Sequence, residues 1–300
     1  MRIYVIGSDG QIARSLRDFA SQNGIEVRCS SRPQIDILRP ESVQLALNEF
    51  SPDIVVNPAA YTAVDRAETE SEVAFSVNRD GAASVALAAR RLNVPIIHLS
   101  TDYVFDGKKS GPYVETDPVA PQSVYGRSKL AGEVAVAAAN ERNIILRTSW
   151  VYAPFGSNFV RTMLRLGVER ERLQVVEDQI GCPTYAPDIA QAIVAIAQAV
   201  NSSGWQSQFA GITHLAGPDR TTWFAFAKLI MSLVGTKGVR TAAVDPITTA
   251  DYPTAAARPA NSCLNCDRLL SVFKVRLPPL SLSIEACLER LLNDSYLAGE

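Results

Sequence analysis

The chain has 300 residues, a net charge of −2 and an apolar fraction of 47%. These values are ordinary for a globular protein, which excludes a disordered or fibrous chain, and the length suits two domains or one large α/β unit. The 29 basic and 31 acidic side chains form no long basic run, so we expect no nucleic-acid partner. No stretch approaches the roughly 18 apolar residues of a membrane span, so we expect no membrane association and a cytoplasmic location.

Cysteine usage bears on metal binding and on redox environment. The chain has five cysteines, at positions 29, 182, 263, 266 and 287. An odd number of widely spaced cysteines favours free thiols in a reducing compartment. Cys263 and Cys266 form a C-x-x-C pair, but a zinc site needs a second pair of ligands and the chain has two histidines. We therefore predict no metal site.

The first half of the chain alternates short β-branched runs with helical patterns. The predicted strands cover residues 3–6, 26–29, 54–57, 96–100 and 144–148. The predicted helices cover residues 11–21, 40–50, 71–92 and 124–140. Continuous apolar strands separated by helices indicate βαβ units, which form a doubly wound parallel sheet with helices on both faces.

The second half is less regular and predicts a smaller α/β lobe. Helical patterns cover residues 188–200, 222–233 and 283–292, and short strands are predicted at 174–176 and 213–216. A loop rich in Ser, Gly and Gln covers residues 201–211, and a proline-containing stretch without predicted structure covers 245–259.

A glycine turn follows the first predicted strand. Gly7, Gly10 and Ala13 are spaced as G-x-x-G-x-x-A ahead of the first helix. Backbone N–H groups at a helix start bind phosphate, and glycine lets the main chain approach a pyrophosphate. On its own, this motif is weak evidence for dinucleotide binding, because glycine occurs in many strand-to-helix turns. After the first strand of a βαβ unit, it predicts a Rossmann-type, dinucleotide-binding sheet.

These patterns together predict how the chain is divided. We assign residues 1–150 to an NAD(P)-binding domain of Rossmann type, and residues of about 186–216 return to it. Residues 151–300 are assigned to the smaller lobe, which we expect to bind the substrate.

The end of the second strand predicts the type of dinucleotide. An NAD site typically has Asp or Glu about 20 residues after the glycine turn, to bind the ribose 2′-hydroxyl. Residues 28–32 read Arg-Cys-Ser-Ser-Arg and contain no acid. Arg32 and the two serine hydroxyls suit a 2′-phosphate, although both arginines could equally be solvated surface charges. We predict NADPH as the cofactor, with NADH as an alternative.

Tyr125 and Lys129 are spaced to share one helix face, one turn apart. A free tyrosine titrates near pH 10, and a neighbouring cation lowers that pKa by about 1–3 units. This pairing predicts that Tyr125 exchanges a proton with a carbonyl oxygen. The motif gains weight because Thr101 follows the strand at 96–100 and can donate a hydrogen bond to the same oxygen. A threonine at a strand end is also common simply as a turn residue.

Four motifs, in this order, resemble the extended short-chain dehydrogenase/reductase family. They are Gly7-x-x-Gly10-x-x-Ala13, Asn57-Pro58-Ala59-Ala60, Ser100-Thr101-Asp102 and Tyr125-x-x-x-Lys129. Longer segments narrow the resemblance to members that reduce a 4-keto-6-deoxy nucleotide sugar; they lie at residues 61–68, 101–107, 147–152, 178–184 and 258–262. The resemblance covers nearly the whole chain and implies a small nucleotide-sugar substrate and a monomer or homodimer.

The resemblance implies a role for each matched residue. The cofactor would be bound by residues of the glycine turn and of the loops after the second and third strands: Gly7, Gly10, Gln11 and Ile12 at the pyrophosphate, Asp36 and Ile37 at the adenine, and Ala60, Tyr61 and Thr62 beside them. Tyr125 would donate the proton, Thr101 would tune its transfer, and Lys129 would bind the nicotinamide ribose and lower the Tyr125 pKa. The substrate would contact Thr101, Asp102, Trp150 and Arg258, the last at the diphosphate.

Several of these residues could instead have a purely structural role. Trp150 follows a buried strand and could be a core residue. Asp36 could be the N-cap of the helix that begins at Pro40, and Arg258 could be a solvated charge before a proline. Asp178 and Gln179 could form an ordinary turn.

The implied reaction is reduction of the C4 keto group by hydride transfer from NADPH, with Tyr125 as proton donor. Tyr103 follows Asp102 and cannot abstract a carbon-bound proton at neutral pH, which favours a plain carbonyl reduction. Two alternatives remain: a nucleotide-sugar epimerase or dehydratase of the same fold, and a non-catalytic, NADP-binding regulatory subunit. The presence of Thr101, Tyr125 and Lys129 together argues against the regulatory subunit.

Overall fold

The structure, a computed structural model, describes residues 1–293 and confirms an α/β fold. The strands are β1 (Arg2–Ile6), β2 (Glu26–Ser30), β3 (Ile54–Asn57), β4 (Ile96–Thr101), β5 (Asn143–Thr148), β6 (Val151–Tyr152), β7 (Arg172–Val176), β8 (Ile180–Gly181), β9 (Thr184–Tyr185), β10 (Gly211–His214), β11 (Thr221–Thr222) and β12 (Ala243–Ile247). The helices are α1 (Gln11–Gln22), α2 (Pro40–Phe50), α3 (Val64–Ala67), α4 (Ser71–Phe75), α5 (Ala82–Arg91), α6 (Val124–Ala139), α7 (Phe159–Glu169), α8 (Ala186–Ser203), α9 (Trp223–Gly235), α10 (Asp267–Phe273) and α11 (Leu280–Asn293).

Within the described residues, six parallel strands form the central sheet in the order β2-β1-β3-β4-β5-β10. The central strands β3, β4 and β5 are buried along their whole length, which explains their largely apolar sequences. Helices α1 and α8 cover one face, and α2, α5 and α6 cover the other. The strand order reverses between β1 and β3, and ligands bind at the carboxyl ends beside such a reversal.

The predicted helix over 71–92 is interrupted. Helix α4 runs into a π-helical segment, Ser76–Gly81, before α5 begins. A π-helical turn accommodates one extra residue, and such turns are frequent at functional sites. Nothing in the apolar spacing of the sequence distinguishes this segment from an ordinary helix.

The lobe beyond β6 packs α7, α9 and α11 around its own apolar core, which includes Val160, Phe226 and Ile284. The stretch over 245–259, expected to lack regular structure, in fact begins with the end of β12, which pairs in parallel with β7. Pro246 is tolerated there because β12 pairs on one side only. Helices α7 and α10 were not predicted.

Two elements within residues 186–216 lie against the central sheet and its helices. Helix α8 packs on α1, and β10 pairs with β5 at the sheet edge. The division at residue 150 stays a prediction, and residues 294–300 of the assigned lobe lie outside the described part. None of the helices within residues 1–293 is long and apolar enough to cross a bilayer.

A buried ion pair fixes α6 to the sheet. Arg147 on β5 donates two hydrogen bonds to Glu133 on α6, at 2.8 and 2.7 Å, and both side chains are at most 3% exposed. Ser100 on β4 donates a third hydrogen bond to Glu133 at 2.5 Å. Removing one partner of such a pair leaves an uncompensated buried charge.

Arg147→Ala is therefore expected to lower the free energy of unfolding by about 3–5 kcal/mol, as measured by urea denaturation. The matched control is Arg165→Ala, because Arg165 forms an exposed ion pair with Glu169 at 3.0 Å. Exposed pairs contribute about 0–1 kcal/mol, so the control is expected to stay within that range. Equal losses in the two variants would contradict the role given to the buried pair.

Candidate active site

A cleft of about 970 Å³ opens at the carboxyl ends of the sheet strands. Its walls come from the glycine turn, from the loops after β2 and β3, from the end of β4 and from the start of α6. The sequence-predicted residues that line it are Gly7, Gly10, Gln11, Ile12, Arg32, Asp36, Ile37, Ala60, Thr62, Thr101, Asp102, Tyr125, Lys129 and Trp150. Tyr61 and Arg258 are not among the lining residues.

The glycine turn is built to leave backbone N–H groups facing the cleft. Gly7 has φ +116°, a conformation that other residues rarely adopt, and its N–H bonds the carbonyl of Ser30 at 2.7 Å. Helix α1 begins after Gly10, whose surroundings are open: a Cβ there would meet no atom within 4 Å. The first turn has no acidic residue, so its N–H groups and helix dipole suit an anionic phosphate.

The far end of the cleft carries Arg32 and Asp36. The Ser8 and Ser31 hydroxyls are hydrogen-bonded at 2.5 Å, which joins the glycine turn to the loop after β2. Asp36 accepts a hydrogen bond from the Leu38 N–H at 3.0 Å. The N-cap of α2 is Arg39, so the plainer reading of Asp36 as that cap is wrong.

Thr101, Tyr125 and Lys129 meet at the inner end of the cleft. The Ser123 hydroxyl accepts a hydrogen bond from the Gly126 N–H and caps α6, so Tyr125 and Lys129 lie in its first two turns. Thr101 lies beside Tyr125, and its hydroxyl donates to Asp102 and accepts from the Tyr103 N–H. Lys129 donates a hydrogen bond to the Leu99 carbonyl at 2.6 Å.

Burial dominates the protonation of these groups. It raises the pKa of Tyr125 above its ordinary value of 10.0, and the nearby Thr101 hydroxyl offsets only part of this effect. Burial also lowers the pKa of Lys129 to about 8, against the attraction of Glu133. The predicted lowering of the Tyr125 pKa is wrong for this structure, because desolvation of the phenolate outweighs the effect of any neighbouring cation.

Asp102 is a buried carboxyl group at the cleft wall. Its Oδ1 accepts a hydrogen bond from Thr101 at 3.0 Å, while its Oδ2 has no protein partner. Burial raises the pKa of Asp102 to about 6, although the hydroxyls of Ser262 and Thr101 oppose the shift. An acceptor oxygen without a protein partner suits a hydroxyl group of a ligand.

Trp150 lines the cleft and also packs on the lobe. Its indole stacks on that of Trp223, with ring centroids 3.4 Å apart and planes within 5°. Its φ is +46°, which is uncommon for a bulky residue and turns the chain sharply after β5. Trp150 is therefore partly buried beside the cleft, and its contact with a ligand stays a prediction.

Two residues that were predicted to contact ligands, Tyr61 and Arg258, do not line the cleft. The Tyr61 hydroxyl donates to Glu70 at 2.5 Å, and its backbone bonds Asn78. Arg258 donates to Asp65 at 2.6 Å and its guanidinium lies 6.0 Å from the centroid of the Tyr103 ring. Arg258 is therefore an ion-paired residue rather than a freely solvated charge.

The sequence analysis assigned no binding or catalytic role to three residues around the cleft. The Tyr103 ring packs edge-on against Tyr125, with centroids 5.5 Å apart, and burial raises its pKa to about 12. The Asn158 amide donates to Gln11 at 3.0 Å and ties the start of α7 to the start of α1. Trp223 supports Trp150. Only Asn158 had a local signal, as a polar residue directly before a helical pattern.

Metal binding has no support in the described residues. Within residues 1–293, no group of three or more His, Cys, Asp or Glu side chains is arranged to hold an ion. All five cysteines are free thiols.

A doubly wound sheet with a glycine turn, and with a tyrosine and lysine at its carboxyl edge, defines an NAD(P)-dependent oxidoreductase of the extended short-chain dehydrogenase/reductase class.

Comparison with known proteins identifies the family within this class. Residues 1–293 match the model of the family described as the RmlD substrate binding domain. The dTDP-4-dehydrorhamnose reductase of Sinorhizobium fredii is 50% identical over 278 residues, covering 93% of each chain. That of Escherichia coli K12 is 39% identical, covering 99% of this chain and 98% of its own. The chain therefore belongs to the RmlD family of dTDP-4-dehydrorhamnose reductases, which confirms the narrowed resemblance.

Solved structures agree with the family. A dTDP-4-dehydrorhamnose reductase from Clostridium acetobutylicum superposes with a TM-score of 0.89 at 34% identity, covering 97% of this chain and 100% of its own. That from Bacillus anthracis, solved in complex with NADP, gives 0.87 at 35% identity, covering 96% and 98%. A UDP-glucose 4-epimerase from Thermus thermophilus gives 0.77 at 20% identity, over 97% and 99% of the two chains, and shows the fold alone.

The buried carboxyl group predicts a pH-dependent stability. Because the Asp102 pKa is raised from 3.8 to about 6 in the folded protein, the free energy of unfolding falls as pH rises through that interval. Asp102→Asn is expected to be more stable than the parent at neutral pH, by up to about 3 kcal/mol, with the gain vanishing near pH 4. Urea denaturation of both proteins at several pH values measures this difference in the free energy of unfolding.

The matched control is Asp106→Asn. Hydrogen bonds from the Lys108 N–H and the Tyr113 hydroxyl lower the Asp106 pKa, so its carboxylate stabilises the fold above pH 3.8 and that stability is lost as pH falls. This control is expected to be less stable than the parent at neutral pH. A loss of stability in Asp102→Asn at neutral pH would contradict the unfavourable burial of its charge.

Proposed function

We propose that the protein reduces the C4 keto group of dTDP-4-dehydro-6-deoxy-L-mannose to give dTDP-L-rhamnose, with NADPH as the electron donor and NADH as an alternative. The names of its close relatives support the substrate, because family members at 39–50% identity over most of the chain are dTDP-4-dehydrorhamnose reductases. The observation that carries the proposal is the placement of a half-buried phenol, Tyr125, beside Thr101 at the end of a dinucleotide-sized cleft.

The residues along the cleft fit a dinucleotide phosphate. The start of α1, with Gly10, Gln11 and Ile12, would hold the pyrophosphate, since its N–H groups lack helical partners and it carries no acid. Arg32 and Ser31 would hold the ribose 2′-phosphate at the end of β2. The NADP complex of the Bacillus anthracis relative supports this cofactor.

Lys129 would bind the nicotinamide ribose. Its ammonium is fixed by the hydrogen bond to the Leu99 carbonyl, which leaves two N–H groups for a ribose hydroxyl. With a pKa of about 8, Lys129 is mostly charged at neutral pH. In this proposal it orients the cofactor rather than acidifying Tyr125 in the free protein.

The protein residues supply orientation and a proton. When bound, NADPH supplies the hydride to C4 of the sugar. The Tyr125 hydroxyl donates its proton to the carbonyl oxygen, which becomes more basic than a phenolate as it accepts negative charge. A raised pKa keeps Tyr125 protonated before the reaction, as a proton donor requires. The Thr101 hydroxyl, which donates to Asp102 in this structure, would stabilise the phenolate that remains by turning its hydrogen towards Tyr125.

The sugar would lie between Asp102 and Trp150. The unpartnered Oδ2 of Asp102 would accept a hydrogen bond from a ring hydroxyl, and the indole of Trp150 would cover one face of the ring. Contact between Arg258 and the diphosphate stays a prediction, because in this structure Arg258 is paired with Asp65.

Tyr125→Phe removes the proton donor and preserves the ring, so we expect kcat to fall by about 10²- to 10⁴-fold. The assay mixes protein, NADPH and dTDP-4-dehydrorhamnose and follows the loss of reduced-cofactor absorbance. The control is Tyr185→Phe, whose ring packs on Tyr152 in the lobe core, and it is expected to keep kcat within about twofold.

Two results would contradict this proposal. If the wild-type protein turns over no faster than Tyr125→Phe, the proposed reductase activity is ruled out. Product formed without stoichiometric consumption of NADPH would instead identify an epimerase or dehydratase, which regenerates its cofactor.

Arg32→Ala is expected to raise the KM for NADPH by about tenfold or more and to leave the KM for NADH unchanged, because a charge-assisted phosphate contact is lost. The control is Arg28→Ala on β2, because Arg28 forms an ion pair with Glu49 and does not line the cleft. Comparing kcat/KM for the two cofactors in each variant measures the effect. An unchanged NADPH preference in Arg32→Ala would contradict the assigned 2′-phosphate site.

A further inference from the structure

Two buried cysteines, Cys182 and Cys263, lie next to each other although they are 81 positions apart in the chain. Ile180 pairs in parallel with Asn261 through two backbone hydrogen bonds of 2.8 Å. Each cysteine lies two residues beyond this pair, so the register brings the two side chains opposite each other on one side. Both are at most 2% exposed and belong to one apolar cluster.

This arrangement suits a disulfide, although both cysteines are free thiols in this structure. Neighbouring parallel strands lie about 4.8 Å apart, and disulfide-bonded cysteines have Cα atoms about 4.4–6.8 Å apart. The backbone register therefore places the two residues within the range that a disulfide requires.

The Cys263 thiol is the more acidic of the two. The neighbouring Cys182 thiol and the Arg220 guanidinium stabilise its thiolate and lower the Cys263 pKa, whereas the contact with Cys263 and burial raise the pKa of Cys182. Arg220 is exposed and also donates to the Ser110 carbonyl at 3.4 Å, so it joins the buried thiol to the protein surface. A thiolate beside a cation is the form of cysteine that reacts with peroxides.

The third thiol of this region, Cys266, is engaged elsewhere. Its Sγ donates to the Ala216 carbonyl at 3.7 Å and accepts from the Ala216 N–H at 3.4 Å. Burial raises its pKa to about 11, so it stays protonated at neutral pH. Since no metal-binding group of three such side chains occurs in residues 1–293, oxidation explains the Cys182–Cys263 pair better than a metal ion does.

Each cysteine directly follows a residue that packs on a wall of the proposed sugar site. Gly181 lies so close to the Trp150 indole that a Cβ on this glycine would overlap the ring. Ser262 lies beside the carboxyl group of Asp102. A disulfide holds its sulfur atoms about 2.0 Å apart, well inside the contact distance of two thiols. Because packed interiors leave little free volume, closing the bond would displace both walls.

We propose that Cys182 and Cys263 are a reversible oxidation site: a hydroperoxide converts them into a disulfide that distorts the sugar end of the cleft and lowers the reductase activity. The effect on activity rests on the proposed function, whereas formation of the bond does not.

The chemistry is a two-electron oxidation of sulfur. The Cys263 thiolate attacks the peroxide, the O–O bond breaks, and a sulfenic acid forms while hydroxide leaves and takes up the proton that the thiol released. The Cys182 sulfur then attacks the sulfenic sulfur, the S–S bond forms, and a second water leaves with the Cys182 proton. Two thiols and one hydrogen peroxide thus give one disulfide and two waters.

The experiment treats the wild-type protein with hydrogen peroxide, removes the excess with catalase and maps the peptides by mass spectrometry without reduction. Cys182→Ala and Cys263→Ala are treated in the same way, with Cys266→Ala as the matched control because it keeps the pair intact. Before treatment, after treatment and after addition of dithiothreitol, kcat/KM for dTDP-4-dehydrorhamnose and the dissociation constant for NADPH are measured.

Oxidised wild-type protein is expected to contain a Cys182–Cys263 linked peptide and to lose about 10- to 100-fold in kcat/KM, because small misplacements of a substrate are costly. Dithiothreitol is expected to restore kcat/KM. NADPH affinity is expected to stay within about twofold, because the glycine turn and Arg32 lie at the other end of the cleft. Cys266→Ala is expected to respond as the wild type does, whereas Cys182→Ala and Cys263→Ala keep their untreated kcat/KM.

The inference is overturned if no peptide links Cys182 to Cys263, if the link forms without a change in kcat/KM, or if peroxide inhibits Cys182→Ala as strongly as the wild type. If the cysteine variants do not fold, the peptide map and the reversal by dithiothreitol in the wild-type protein decide. Absence of turnover before any treatment removes the proposed reductase instead, and the peptide map then still confirms or overturns the disulfide.

Discussion

The buried attachment of α6 to the sheet is the constraint on which the site depends. Tyr125, Lys129 and Glu133 are spaced at four-residue intervals, so they lie along one face of α6. Glu133 is bound by Arg147 and Ser100, and Lys129 by the carbonyl of Leu99. Each of these polar groups would be costly to bury without a partner. Their hydrogen bonds to one another therefore fix the rotation of α6 and its distance from the sheet. Tyr125 reaches the cleft at a defined point because the two turns beyond it cannot move.

The same burial determines the chemistry of the site. In an exposed helix, a lysine one turn away would favour the phenolate of Tyr125, but here Lys129 is buried, Tyr125 is half-buried, and each charged form is penalised. A tyrosine that keeps its proton is a poor base and a suitable acid for an oxygen that acquires negative charge. Tyr103 packs against it and is itself held protonated, so the wall of the cleft offers no second tyrosine base. These properties match carbonyl reduction better than proton abstraction from carbon.

The sequence predicted the sheet well because each central strand is a continuous apolar run, and it predicted most of the cleft because the glycine turn and Tyr125 carry short local motifs. It could not predict the pKa of Tyr125, since desolvation depends on elements distant in sequence that close around the phenol. The π-helical segment was missed because one inserted residue hardly changes apolar spacing. Helix α7 was overlooked although Val160, Met163, Leu164 and Gly167 have helical spacing and are buried. Strand β12 was not predicted because it contains Pro246, and proline is uncommon within strands.

The most direct test of this account is the titration of Tyr125 itself. Tyrosinate absorbance is recorded against pH for the wild-type protein and for Tyr125→Phe, and the difference between the two curves isolates the phenol. The account predicts that this difference shows no ionisation below pH 10, because burial holds the pKa above its ordinary value. A phenolate that forms near neutral pH in the free protein would contradict it, and would mean that Lys129 rather than burial controls the proton donor.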